Sequence, residues 1–179
     1  MSDVFEILRK DHEEVESMLI RLVPGNPDAA ALGEKLVMEE SRHEAVEEMY
    51  FWPAVKEKVE GGESLAEVAL AQEDEGKKVL DQLRKAEAGS REFDELVAKF
   101  ATAGRAHIAY EENQVWPKLL AVLSVQEREE MGEKIERAKQ AAPTRPHPNA
   151  PDSPGALKTV GTATAAMDKM ADKITGRGQ

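Results

Sequence analysis

The sequence predicts an all-α fold, an antiparallel up-down four-helix bundle with a short extra helix and a proline-rich C-terminal tail. Charged residues form 33% of the chain and aromatic residues only 4%, a balance that favours amphipathic helices over strands. Apolar residues recur at helical spacing in four long segments. Short stretches containing Pro or Gly separate these segments, so consecutive helices should be antiparallel neighbours.

Caps and chain breakers define the first two helices. Ser2 or Asp3 can cap the first helix, and a turn at residues 24–27 with two prolines ends it. Its predicted inward face carries Phe5, Leu8, His12, Val15, Leu19 and Leu22. The second helix is expected from about residue 28 to 59. Pro53 lies inside this stretch and predicts a kink or a break near its neighbour Trp52.

Similar signals define the third and fourth helices. Ser64 and Glu67 have the spacing of a capping box, which predicts that the third helix begins at Ser64. That helix should run to about Ala88. Gly89-Ser90 separates it from a fourth helix, expected over about 92–123, which contains a second internal proline, Pro117.

The C-terminal part changes in composition. A short helix is expected over 125–138, and the stretch from Pro143 to Pro154 is rich in proline, which indicates an extended or irregular connector. The last stretch, Leu157 to Ile174, is weakly amphipathic and can either dock as a helix or remain mobile. We therefore divide the chain into a bundle domain, residues 1–138, and a tail, residues 139–179.

Charge and composition exclude several classes of function. The net charge of −11 argues against binding to nucleic acid and to anionic membranes. Cysteine is absent, which excludes disulfides, iron–sulfur clusters and cysteine nucleophiles. No stretch is apolar enough to span a membrane, and the N-terminus lacks the features of a signal peptide. The expected location is the cytoplasm.

One pattern occurs twice in the chain. The segment from His43 through Glu47 to Trp52-Pro53 is matched by the segment from His107 through Glu111 to Trp116-Pro117. A His and a Glu four positions apart lie on one face of a helix. Two such helices facing each other would bring two imidazoles and two carboxylates together, as in the metal sites of helical bundles. The alternative is a duplicated helical hairpin whose His–Glu pairs only form buried hydrogen bonds.

The first and third helices each add a candidate donor. His12 lies on the apolar face of the first helix. Glu73 aligns with His12 when the two helices are superposed, and its apolar neighbours at helical spacing place it toward the core. A buried carboxylate is costly without a partner but not when it binds a metal. The alternative for Glu73 is a carboxylate at the edge of the core, open to water.

The order of these residues resembles the hemerythrin-like family of HHE cation-binding domains, over roughly residues 1–135. The resemblance implies a bundle holding two non-haem irons joined by an oxo or hydroxo bridge, with Mn as a possible substitute. It further implies that His12, His43 and His107 are terminal ligands and that Glu47 and Glu111 bridge the metals. The proline-rich tail is similar to that of actinobacterial members.

The third helix departs from the family pattern, which has a histidine where this chain has Glu73. Three histidines and three carboxylates form a harder ligand set, which favours Fe(III) or Mn over stable Fe(II). Reversible oxygen carriage therefore becomes less favourable than reaction with peroxide in a catalase-like manner. The expected partner is a small oxidant such as peroxide, O2 or NO. A non-enzymatic sensor or store for oxygen, nitric oxide or iron is the alternative.

Tyr50 is the candidate catalytic residue outside the ligand set. It follows His43 by seven positions and Glu47 by three, which predicts that it lies on the inward face. A phenol there can bind iron or carry an oxidising equivalent. The alternative is a core aromatic residue whose hydroxyl has a hydrogen-bond partner.

Overall fold

The computed structural model describes residues 3–148 and 164–173, and all regular secondary structure within these ranges is helical. The predicted all-α bundle is thus confirmed. Its helices are α1 (Val4–Arg21), α2 (Ala29–Val46), α3 (Trp52–Lys58), α4 (Gly62–Leu83), α5 (Arg91–Tyr110), α6 (Trp116–Val122), α7 (Val125–Lys139) and α8 (164–173). Two short π-helical segments join α2 to α3 and α5 to α6, at Glu47–Phe51 and Glu111–Val115.

The helix starts agree with the predicted caps at α1 but not at α4. Asp3 accepts a hydrogen bond from the amide of Phe5 at 2.9 Å, as expected for a cap. The capping box predicted at Ser64 is wrong, because α4 begins two residues earlier, after Gly61 in a left-handed conformation (φ 71°). A side chain at Gly62 would collide with the carbonyl oxygen of Val55. Close approach of α3 therefore sets the start of α4.

The predicted kink near Trp52 takes the form of a π-helical turn. In each copy of the repeat, the amide of the tryptophan bonds to the carbonyl of the glutamate five residues earlier rather than four. Pro53 and Pro117 follow these tryptophans; each lacks an N–H, and its ring excludes the carbonyl four residues before it. The wider turn accommodates both effects, so the internal prolines explain why the two π-helical segments recur at matched positions.

The core consists of two apolar clusters with a polar layer between them. One cluster contains Leu8 and Ala69, and the other contains Val15 and Val79. His12 lies between Leu8 and Val15 along α1, and Glu73 occupies the corresponding interval of α4. The sequence thus buries polar side chains at one level of the bundle and closes that level with apolar residues on both sides.

The described part of the tail docks through polar contacts. Residues 164–173 form a helix, in agreement with one of the two alternatives, while residues 149–163 and 174–179 of the predicted tail lie outside the described ranges. Asp168 accepts a hydrogen bond from the amide of Thr144 at 3.1 Å and lies 3.0 Å from Nε2 of His147. His147 is half-buried. Among the described helices, none is long and apolar enough to cross a membrane.

Candidate metal centre

Three buried or nearly buried histidines converge on the polar layer in a common orientation. His12 comes from α1, His43 from α2 and His107 from α5. The Nε2 atoms of His12 and His107 lie 3.2 and 3.5 Å from carboxylate oxygens of Glu111. The Nε2 atom of His43 lies 3.3 Å from Glu47. All three rings therefore direct the same nitrogen toward the two repeated glutamates.

The opposite ring nitrogen of each histidine is held by a polar side chain. The Nδ1 atom of His12 lies 3.0 Å from Glu112. That of His43 lies 3.3 Å from Asp11, which also accepts a hydrogen bond from Lys139. Nδ1 of His107 lies 3.0 Å from Gln72. Such outer partners fix the tautomer and ring orientation of metal-binding histidines, leaving Nε2 free to bind.

The donors form two groups that share two carboxylates. In each group, one ligand atom from every member lies within 4.8 Å of all the others. The groups are His12, His43, Glu47 and Glu111, and Glu47, Glu73, His107 and Glu111. The structure thus brings together all six residues predicted as metal ligands. Each group could hold a metal ion, and Glu47 and Glu111 belong to both groups.

Several of these donor atoms are buried and, although some lie 3.2 to 3.5 Å from one another, they make no hydrogen bond of acceptable geometry in the described parts of the chain. They are His12 Nε2, His107 Nε2, Glu73 Oε2 and both carboxylate oxygens of Glu47 and Glu111. Glu47 and Glu111 are fully buried, and Glu73 is 2% exposed, which excludes the water-exposed alternative for Glu73. Unpartnered buried carboxylates are strongly destabilising. A pair of cations among them would satisfy these atoms, so the donor set fits the metal that the sequence suggested.

The pKa values of the metal-free site reflect the close packing of its buried carboxylates. Burial, then repulsion from Glu111 and Glu73, raises the pKa of Glu47 well above its usual value. The pKa of Glu73 is likewise raised by burial and by nearby carboxylates. Glu111 differs: although burial opposes it, attraction from His107 and then His12 lowers its pKa. Burial lowers the pKa of His107. Burial and mutual repulsion therefore disfavour the charged forms of Glu47 and Glu73 in the absence of a cation.

The sequence analysis did not identify a further row of buried glutamates or the lysine that pairs with it. Glu40 and Glu44 on α2 and Glu48 in the π-helical segment that follows are 7%, 6% and 5% exposed. Their spacing of four residues was the available signal, but it was hidden in a chain rich in glutamate. Lys77, from α4, is nearly buried and pairs with Glu48. Burial opposes its charge, yet Glu44 and Glu48 raise the pKa of Lys77.

A cavity of about 20 Å³ adjoins the donors. Its polar lining includes His43, Glu44, Glu73 and His107. Its remaining wall contains small residues and one aromatic ring: Gly76, Ala103, Gly104 and Phe100. The volume admits one water-sized molecule. A ligand that occupies this cavity beside the donors must therefore be very small, and an organic substrate does not fit.

The structure assigns the tryptophans a role that the sequence did not predict. Both tryptophans contact donors. Trp52 donates a hydrogen bond from Nε1 to Oε1 of Glu73 at 2.5 Å. The ring of Trp116 stacks on His12 with a centroid distance of 5.3 Å. Tyr50 is half-buried and packs against the apolar cluster that contains Leu8, and its role as a ligand or redox residue stays a prediction.

Fold and donor geometry together define a helical bundle built to hold cations, and comparison with known proteins places it in a family. Residues 3–119 match the hemerythrin HHE cation binding domain, and the chain belongs to this family. An uncharacterized hemerythrin-like protein of Schizosaccharomyces pombe is 27% identical over 177 residues, covering 97% of this chain and 87% of that protein.

A solved structure has the same fold. The crystal structure of a hemerythrin HHE cation binding domain-containing protein from Mycobacterium kansasii superposes with a TM-score of 0.68. The match covers 94% of this chain and 99% of that chain at 22% identity. At this identity the likeness establishes the fold alone.

Proposed function

We propose that this chain is a non-haem di-iron protein that reacts with peroxide in a catalase-like manner, in defence against oxidative stress in the cytoplasm. The proposed ligands are His12, His43, Glu47, Glu73, His107 and Glu111. The observation that carries the proposal is the pair of four-donor groups sharing Glu47 and Glu111, whose carboxylate oxygens are buried without hydrogen-bond partners in the described chain.

The donor chemistry favours iron or manganese. Three imidazoles and three carboxylates form a mixed N and O set without thiolate, which suits Fe(III) and Mn better than soft metals. A redox-active pair of such ions supplies the two-electron exchange needed to convert two molecules of peroxide into one of O2 and two of water. The carboxylate at position 73 argues against a long-lived reduced state and hence against reversible oxygen carriage.

The chain's own residues would bind, orient and screen the reactants. Asp11, Glu112 and Gln72 hold the three imidazoles in place through Nδ1. The apolar clusters above and below the polar layer keep bulk water from the donors. The small cavity beside Glu73 and His107 leaves room for only a very small ligand next to the donors.

Metal analysis of the purified protein, followed by oxygen evolution on addition of peroxide, tests this function. We expect about two Fe or Mn per chain and release of O2. His43→Ala should lose metal and activity, whereas His147→Ala, a control in the docked tail, should keep both. A metal-bound protein that gives no O2 but changes its spectrum reversibly with O2 or NO would instead favour a sensor. Absence of stoichiometric metal from the wild type would overturn the proposal.

A further inference from the structure

The two copies of the internal repeat each place a tryptophan against the donor that lies outside the repeat. Trp52 contacts Glu73 on α4, and Trp116 contacts His12 on α1. The two tryptophans occupy matched positions, but their partners differ in chemistry. The contacts differ accordingly: an indole N–H bonds to the carboxylate, while an indole face stacks on the imidazole with an interplanar angle of 19°.

The contact at Glu73 divides the roles of its two carboxylate oxygens. Oε1 accepts the buried hydrogen bond from Trp52, at 2.5 Å. Oε2 is buried and has no hydrogen-bond partner in the described chain. The nearby cation, Lys77, is directed to Glu48 instead. One oxygen is therefore occupied by the protein and the other is available to a ligand.

We propose that Trp52 is a positioning residue that makes Glu73 a one-oxygen ligand, bound through Oε2, and so keeps a coordination position open beside His107. This inference rests on the proposed metal site. A chelating carboxylate would use both oxygens and so fill one more coordination position. The indole N–H thus leaves a single oxygen of Glu73 for a metal.

Trp52→Phe tests the role, because it keeps an aromatic ring and removes only the donor N–H. We expect the affinity for one of the two ions to fall about 10- to 100-fold, the usual effect of losing an outer partner of a metal ligand. Titration of Mn²⁺ into metal-free protein measures this loss without any assay of activity. The visible spectrum of the iron-loaded variant should change as well, because the carboxylate of Glu73 is no longer held in the one-oxygen orientation.

Trp116→Phe is the matched control. The Nε1 atom of Trp116 has no hydrogen-bond partner in the described chain, and phenylalanine preserves an aromatic face on His12. We expect a smaller loss of affinity than in Trp52→Phe. In the Glu73→Ala variant, Trp52→Phe should not further change the affinity for Mn²⁺, because the hydrogen-bond partner of the indole is already absent.

An NMR experiment on the metal-free protein tests the contact itself. The indole N–H signal of Trp52, assigned by its loss in Trp52→Phe, should move upfield in Glu73→Ala, and that of Trp116 should not. If Trp52→Phe binds two ions, each with the same affinity as in the wild type, this inference is overturned and the proposed function is left intact. A wild type that binds no metal would overturn the proposed function first.

Discussion

Glu47 illustrates how a single side chain can serve binding at the expense of stability. It is fully buried, both of its oxygens lack hydrogen-bond partners in the described chain, and its pKa is raised by burial and by Glu111 and Glu73. Such a group stabilises nothing in the metal-free protein. Its burial is explained if cations occupy the site, as in other proteins whose functional groups are strained in the empty state.

Glu47→Gln should therefore have opposite effects on metal binding and on folding. The amide cannot bridge two cations, so we expect metal content to fall below one ion per chain. In the metal-free protein the same change removes a buried acid and its repulsion, so the melting temperature should rise, by about 2–4 °C for each kcal/mol gained. Calorimetry and metal analysis measure the two effects. Glu63→Gln, the same change at an exposed position, should alter neither, and full metal content in Glu47→Gln would contradict the bridging role.

The buried acids also predict how stability depends on pH. The pKa values of Glu44, Glu47 and Glu73 are raised in the fold above their usual value of 4.5. Their contribution to stability is complete below 4.5 and is lost as the pH rises through the folded values. His12, with a raised pKa, acts in the same direction, and His107, with a lowered pKa, opposes it.

Glu40, whose pKa is also raised, acts with these acids and His12 against His107. The free energy of unfolding of the metal-free protein should therefore decrease between about pH 5 and pH 8. Urea denaturation at a series of pH values measures this slope. Glu47→Gln should make the slope shallower. A free energy that increases over the same range would show that the acids are not buried as described.

At the scale of elements, the sequence predicts where the π-helical segments lie but not what form the disturbance takes. The sequence predicts a disturbance near Trp52 because proline cannot continue a regular helix. It does not specify whether the helix kinks, breaks or widens, since that depends on what packs against it. In the structure the widened turns begin at Glu47 and Glu111, and the tryptophan at the end of each contacts a donor.

Deletion of Asn113 should convert the second π-helical segment to regular α-helix. Four α-helical residues and five π-helical residues each span about one turn, so Trp116 would keep its direction, but the ring of Pro117 would clash with the carbonyl four residues before it. We expect a destabilisation of about 3 kcal/mol or more, the cost of a proline inside a regular helix, and a changed near-ultraviolet circular dichroism spectrum. Asn113→Ala keeps the length and loses only the bond to the carbonyl of Ala109, so it should be nearly neutral. Equal stability of the two variants would argue against this account of the turn.

At the scale of the whole molecule, the described part of the tail is tied to the chain just after α7. Asp168 is 5% exposed and contacts Thr144 and His147. These contacts involve none of the donors. The division of the chain into a bundle at residues 1–138 and a tail stays a prediction.

Asp168→Ala should release the tail without emptying the site. Loss of the hydrogen bonds should cost about 1–3 kcal/mol of docking free energy, so limited proteolysis near residues 143–148 should become faster. Metal content should stay at the wild-type level. Lys173→Ala, at an exposed position of the same helix, serves as the control and should leave the cleavage rate unchanged. Slower cleavage, or loss of metal, in Asp168→Ala would show that the tail has another role.

The sequence by itself determined the all-α bundle and the residues that form the candidate site. Helical spacing and the repeat of His43 and Glu47 at His107 and Glu111 are local features, and helix geometry alone puts each pair on one face. Only the tertiary structure decided how the donors are supported. The bond from Trp52 to Glu73, the stacking of Trp116 on His12 and the burial of Lys77 among acids join different helices. Such contacts depend on the rotation and depth of each helix in the bundle, which no local pattern specifies.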